Sequence, residues 1–197
     1  MFIELTDHLR CPADHPEQFL VLLPGTMAER SVITGDLGCP ACGRMYKVAD
    51  GAVDFGGAPE REPSPSALPA DGAAALLGLG GPGGNVVLVG GAAGDPASLL
   101  DALPGIGLIA VNPPSRVRSD GRLSVLRAGM IPLRSSSVRG VVLGPGYGDE
   151  RWVAEALRVT LAGLRVVGEG TSPELRDLDV IGAADGCWVG MKLRNRG

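Results

Sequence analysis

The chain has 197 residues, 45% hydrophobic and 20% charged, with a formal net charge of −4. That is enough apolar content for a buried core, and it excludes a globally disordered chain. Its 31 glycines and 16 prolines follow no triplet period, which excludes collagen, and aromatics at 4% argue against base-stacking or carbohydrate-binding faces.

Glu4, Asp7 and Arg10 interrupt the first ten residues, so the N-terminus does not read as a signal peptide. The uncharged run 72–94 holds nine glycines, Pro82 and Asn85, which break any membrane-spanning helix. The expectation is a cytoplasmic protein with no membrane contact, whose four cysteines are reduced thiols or metal ligands.

Residues 1–57 carry four basic and eight acidic side chains, a poor match for nucleic-acid phosphate. So short a module buries too little apolar area to be comfortably stable alone, which points to a metal or a partner. Cys39-Pro40-Ala41-Cys42-Gly43 has the spacing of a zinc knuckle, two thiolates two residues apart before a loop glycine. Cys11 supplies a third thiolate and His15 the preferred fourth ligand, completing a closed structural Zn2+ site. Asp14 sits where a regular knuckle would place its second cysteine and stays open as an alternative, with His8 a weaker one. The alternating run Arg44–Val48 after the pair favours zinc over a redox CxxC, which should open a helix. Cys187 reads as a small buried apolar residue.

The segments LRCP (9–12) and LGCPACGRMYKVADGAVDF (37–55) resemble the zinc-ribbon family of small activator subunits for tRNA and protein methyltransferases. The resemblance covers residues 1–56 and departs at CPADH, where the family has a second C-x-x-C. It implies a protein partner, either a methyltransferase or a methylation substrate; a homodimer is the other expectation.

Residues 58–71, APEREPSPSALPAD, have four prolines and no hydrophobic period and read as an extended linker. Beyond it, in 72–197, short apolar runs at Val86–Val89, Leu108–Val111, Leu123–Leu126, Val141–Leu143 and Leu164–Val167 read as strands buried on both faces. Asp95 caps a helix beginning at Pro96 and stopping at Gly105, and Trp152–Leu164 reads as a second, amphipathic helix. Val180-Ile181 and Trp188–Met191 flank GAADGC and predict an antiparallel hairpin at the sheet edge. The fold class is therefore α/β: a minimal Rossmann-like, mostly parallel sheet with a C-terminal hairpin, preceded by a small zinc-ribbon β module.

NVVLVGGAAGD (85–95), with Gly90, Gly91 and Gly94, resembles the first motif of class I S-adenosylmethionine (SAM) methyltransferases, and EALRVTLAGLRVVGEG (155–170) is similar to a later helix-turn-strand of that fold. The resemblance implies SAM as cofactor, bound by these glycines and by Asn112, which follows the second strand where the family has a ribose-binding acid. The first strand and the Ala128-Gly129 turn also lack the family's acids, and after the fourth strand Asp149 and Glu150 come late. Losing charge-assisted contacts of about 1.5–3 kcal/mol each weakens such a site by orders of magnitude. Tyr147, in the loop after the fourth strand, reads as a half-exposed loop aromatic, with a pocket-facing role as the alternative. Without histidine after residue 15, no His-based triad is available there. Two readings stand: a non-catalytic or partner-dependent zinc protein with a degenerate methyltransferase-like domain and no catalytic residues of its own, or an active SAM-dependent methyltransferase of unknown acceptor.

Overall fold

A computed structural model describes residues 1–193. The chain forms strands β1 (Val21–Pro24), β2 (Met27–Ala28), β3 (Ser31–Val32), β4 (Gly35–Gly38), β5 (Met45–Ala49) and β6 (Ala52–Asp54). Helix α1 (Ala70–Leu77) leads into β7 (Asn85–Val89), a 3-10 turn at Gly90–Ala93, α2 (Pro96–Ala102), β8 (Gly107–Val111) and β9 (Leu123–Arg127). Then come β10 (Val138–Leu143), α3 (Glu150–Val159), β11 (Thr160–Glu169), β12 (Leu178–Ala184) and β13 (Cys187–Lys192).

Eleven strands make one sheet in the order β1-β4-β5-β6-β9-β8-β7-β10-β11-β13-β12, and β2 and β3 pair separately. The six adjacent strands β6-β9-β8-β7-β10-β11 are parallel to one another, and the pairings at both ends of the sheet are antiparallel. This is the α/β architecture expected, a mostly parallel Rossmann-like sheet with an antiparallel C-terminal hairpin. Asp185 and Gly186 both take positive φ at the hairpin tip, the backbone that matches a two-residue connection to strand twist.

The cysteine-bearing module is continuous with this sheet. Its last strand, β6, lies parallel to β9 with Val53 opposite Leu126. Leu9 bridges Leu133, and Arg10 N–H donates to the Pro132 carbonyl. Met1, Phe2, Leu5 and Leu9 join α3 residues Trp152, Val153, Ala156 and Leu157 in covering Val87, Val89, Ile109, Val111 and Val141 on one sheet face. On the other face, Ala73 and Leu77 of α1 and Leu99 of α2 cover Val86, Leu88, Leu108 and Val142. Strands buried on both faces need the continuous Val/Leu/Ile runs seen in the sequence.

Helix α2 begins as the sequence predicts, with Asp95 accepting from Ser98 N–H at 3.2 Å. The second predicted helix is shorter than expected. It ends at Val159, not Leu164, because Thr160 pairs with Val138 and turns extended, its hydroxyl donating to the Ala156 carbonyl at 2.7 Å. Leu161, inside the expected helix, is exposed on β11. Helix α1 was not expected from the sequence.

Arginines close several turns. Arg139 donates to the carbonyls of Gly80, Gly81, Pro82 and Gly83 at 2.7–3.2 Å. Arg158 holds the carbonyls of Ile131 and Leu133, and Arg165 holds that of Leu76 at the end of α1.

Candidate functional site

Two loops build a candidate metal centre. The first, 11–18, is pinched by Cys11 N–H donating to the Gln18 carbonyl at 2.9 Å. The second turns back at Gly43, whose φ of +70° a side chain would resist and whose N–H donates to the Cys39 carbonyl. Together they bring Cys11, His15, Cys39 and Cys42 together, their donor atoms all within 4.8 Å of one another. Asp14 and His8 lie outside this cluster.

The spacing can be tested against zinc. Bonds of about 2.3 Å to sulfur and about 2.0 Å to nitrogen in a tetrahedron put two sulfurs roughly 3.8 Å apart and sulfur and nitrogen roughly 3.5 Å apart. Cys11 Sγ lies 3.8 Å from Cys42 Sγ, and Cys39 Sγ lies 3.5 Å from His15 Nε2. Three thiolates and an imidazole are also the chemistry zinc selects, so the residues fit the ion.

The surroundings orient these ligands. His15 Nδ1 lies 2.7 Å from the Pro16 carbonyl, which fixes the proton there and leaves Nε2 as the donor facing Cys39. The buried Tyr46 hydroxyl lies 3.3 Å from Cys11 Sγ, and its ring packs against Phe55 with centroids 4.9 Å apart. Burial first, then the Cys11 contact, pushes the Tyr46 phenol up, so it remains the donor to a thiolate. Burial acts against ionisation of Cys39, but the backbone N–H groups of Cys42 and Ala41 and the neighbouring thiols outweigh it, lowering its thiol to about 7. Cys187 lies outside the cluster, half-buried, with its thiol pushed up by burial and by Glu169.

The second candidate is the crevice at the carboxyl ends of β7 and β10. After β6 at one edge of the parallel core, the chain passes to β7 at its centre, runs outward through β8 and β9, then returns to β10 on the other side of β7. Doubly wound sheets bind ligands at this switch point. Gly90, Gly91 and Gly94 lie there, and the first two are closely covered by other parts of the chain. A Cβ on Gly90 would enter the Tyr147 ring, and one on Gly91 would strike the Ser64 carbonyl oxygen. Tyr147 is buried, stacked edge-on against Trp152 at 4.8 Å, with burial raising its phenol pKa.

The polar groups around the crevice are also spent. Asn112, 4% exposed and at φ +52°, donates to the Ala128 carbonyl at 2.8 Å and accepts from Ala128 N–H at 2.9 Å. Its amide thus extends the pairing of β8 with β9 and faces no open space. Asp95 caps α2, and Asp149 caps α3 by accepting from Trp152 N–H at 2.9 Å.

Residues 62–67 run across the crevice as a strap. Glu62 accepts from Ser115 N–H beyond β8 at 2.7 Å, and the Ser64 carbonyl sits over Gly91. At the end of β11, the Glu169 carboxylate accepts from the Ser66 hydroxyl at 2.5 Å and Ala67 N–H at 2.8 Å. A cleft of about 570 Å³ is left beside the strap, between α1 and α2, with Leu88 and Val142 at its floor. The strap backbone covers Gly91 from one side, Gly91, Ala92 and Gly94 line the cleft that remains, and Asn112, Asp149 and Glu169 are all engaged internally.

No family model matches the chain, and no curated protein does. Among solved structures it is similar to a geranyl diphosphate methyltransferase in complex with GPP and sinefungin, at 19% identity and a TM-score of 0.42, covering 50% of this chain and 42% of that one. It is also similar to the pyocyanin biosynthetic protein PhzM, at 15% identity and a TM-score of 0.45, covering 64% of this chain and 54% of that one. A Haemonchus contortus phosphoethanolamine N-methyltransferase 2, in complex with phosphomonomethylethanolamine and S-adenosylhomocysteine, aligns at 12% identity and a TM-score of 0.36 over 51% of this chain and 28% of that one. The chain thus matches about half or less of the length of these proteins. Among the described residues no helix is long and apolar enough to cross a membrane.

Proposed function

We propose that this chain is a zinc-ribbon protein whose α/β part is a methyltransferase-like scaffold with no SAM turnover of its own, acting through a protein partner in a methylation-related role. One observation carries the reading: the strap backbone at Ser64 lies against Gly91, where the cofactor of such a fold would lie. The engagement of Asn112 with Ala128 adds to it.

Zinc has a structural role in this reading, held by Cys11, His15, Cys39 and Cys42, all protein ligands with no open position for a reacting water. A reducing compartment such as the cytoplasm keeps the three cysteines available as thiolates. Exposed apolar side chains on the ribbon favour a partner. Val21 and Met45 both flank Gly38 on one face, with Phe19 and Leu23 exposed nearby.

Calorimetric titration of the zinc-loaded protein with SAM and with S-adenosylhomocysteine tests the reading. No measurable heat is expected from either. A micromolar Kd for either compound overturns it in favour of an active methyltransferase using Gly90, Gly91, Gly94 and Asn112, with the acceptor to be sought.

A further inference from the structure

We propose that residues 62–67 are a latched strap: a segment that opens from the switch-point crevice as a unit, with Glu169 as its latch. The inference rests on the scaffold reading only in that the strap occupies the crevice.

The strap has no strand or helix to hold it, and its three attachments differ in kind. At one end an exposed Glu62 carboxylate meets one backbone N–H, that of Ser115. In the middle, Ser64 only rests against Gly91. At the other end Glu169, 9% exposed, accepts two hydrogen bonds, from the Ser66 hydroxyl and from Ala67 N–H. Hydrogen bonds to a buried charged acceptor are the strong ones, so this contact dominates the closed state. Glu169 belongs to β11, whose pairing with β10 and β13 does not use its side chain. Losing the carboxylate therefore releases the strap and leaves the strand.

Gly91 offers a second way to open it. Its φ is not in the left-handed region, so alanine is allowed by the backbone. The added Cβ would meet the Ser64 carbonyl oxygen, with Ser64 C at 3.0 Å and Ser66 N at 3.1 Å, so strap atoms are the three nearest obstacles. Gly91→Ala pushes the strap out while leaving the Glu169 carboxylate in place.

Hydrogen exchange on the full zinc-loaded chain, with no cofactor added, reads the device. In Glu169→Ala and in Gly91→Ala, peptides spanning 62–68 and 112–117 should exchange roughly tenfold to a hundredfold faster, as expected for one or two lost hydrogen bonds to a charged acceptor. Peptides spanning 86–89 and 141–143 should keep their wild-type rates. Glu169→Gln, which retains one accepting oxygen, should fall between. Wild-type rates for the strap in both variants would overturn the proposal, as would equal acceleration of strap and core, which would mean that the strap opens only with the fold. Because no SAM is present, such a failure leaves the scaffold reading to its own calorimetric test.

Discussion

The thiolate–histidine centre and the glycine crevice are both places where loops bring polar atoms together, and they do so to opposite ends. At the first, the donor atoms of Cys11, His15, Cys39 and Cys42 lie within 4.8 Å of one another, and the Cys11–Cys42 and Cys39–His15 spacings match a tetrahedral zinc ion. At the second, Asn112, Asp95, Asp149 and Glu169 each face a backbone group of the same chain. A glycine-rich turn at a switch point is a property of the fold. Donor atoms that converge on a common point are the property of a site.

The sharpest way to break this comparison is to remove the metal. Cys39→Ser, or a strong chelator, should lower the melting temperature of the whole protein by more than any other change considered, since structural zinc sites contribute on the order of 10 kcal/mol. Because β6 pairs with β9 and Leu9 with Leu133, calorimetry should show one shifted transition. Two separated transitions would show that residues 1–57 unfold alone.

A second change probes the crevice. Asn112→Ala strands the N–H and carbonyl of Ala128 and puts alanine at a positive φ, so urea denaturation should show a loss of about 2–4 kcal/mol with zinc content unchanged. A neutral effect would mean that the side chain is free to serve a ligand. Tyr46→Phe removes the hydroxyl facing Cys11 and should weaken zinc binding roughly tenfold in competition with a metallochromic chelator. An unchanged affinity would reduce Tyr46 to packing against Phe55.

The smallest effect expected is at the α2 cap. Asp95→Ala should cost about 1 kcal/mol at neutral pH. The Ser98 hydrogen bonds hold the Asp95 carboxyl below its ordinary range, so the cap contributes above that range and fades as pH falls through the lowered pKa. The difference between Asp95→Ala and wild type should shrink in acid, as read by denaturation at several pH values.

The local signals were legible. Continuous apolar runs marked β7, β8, β9 and β10, and Asp95-Pro96 marked the start of α2. The CPACG knuckle with Cys11 and His15 marked the cluster that could hold a metal, because ligand identity and spacing are themselves sequence features. What the sequence hid was non-local. Strand β6 is three residues long, and its partner β9 lies about seventy residues on, so nothing nearby announces that the cysteine module extends the main sheet. The boundary between α3 and β11 was hidden because leucine and valine serve both periods, and only the pairing of Thr160 with Val138 decides it. Glu62 and Glu169 looked like ordinary acids, and their shared role depends on a strap crossing the sheet between them.

The caged arginines bear on how these parts of the surface would meet a polyanion. Arg139, Arg158 and Arg165 still count toward formal charge, but their N–H forks are turned onto carbonyls of their own chain. At these three positions a phosphate would feel the charge at long range and find few free donors on arrival, so attraction would not become register. Lysine at these positions would keep the charge and lose the fork, and the loops at Gly80–Gly83 and Ile131–Leu133 would lose their clasp.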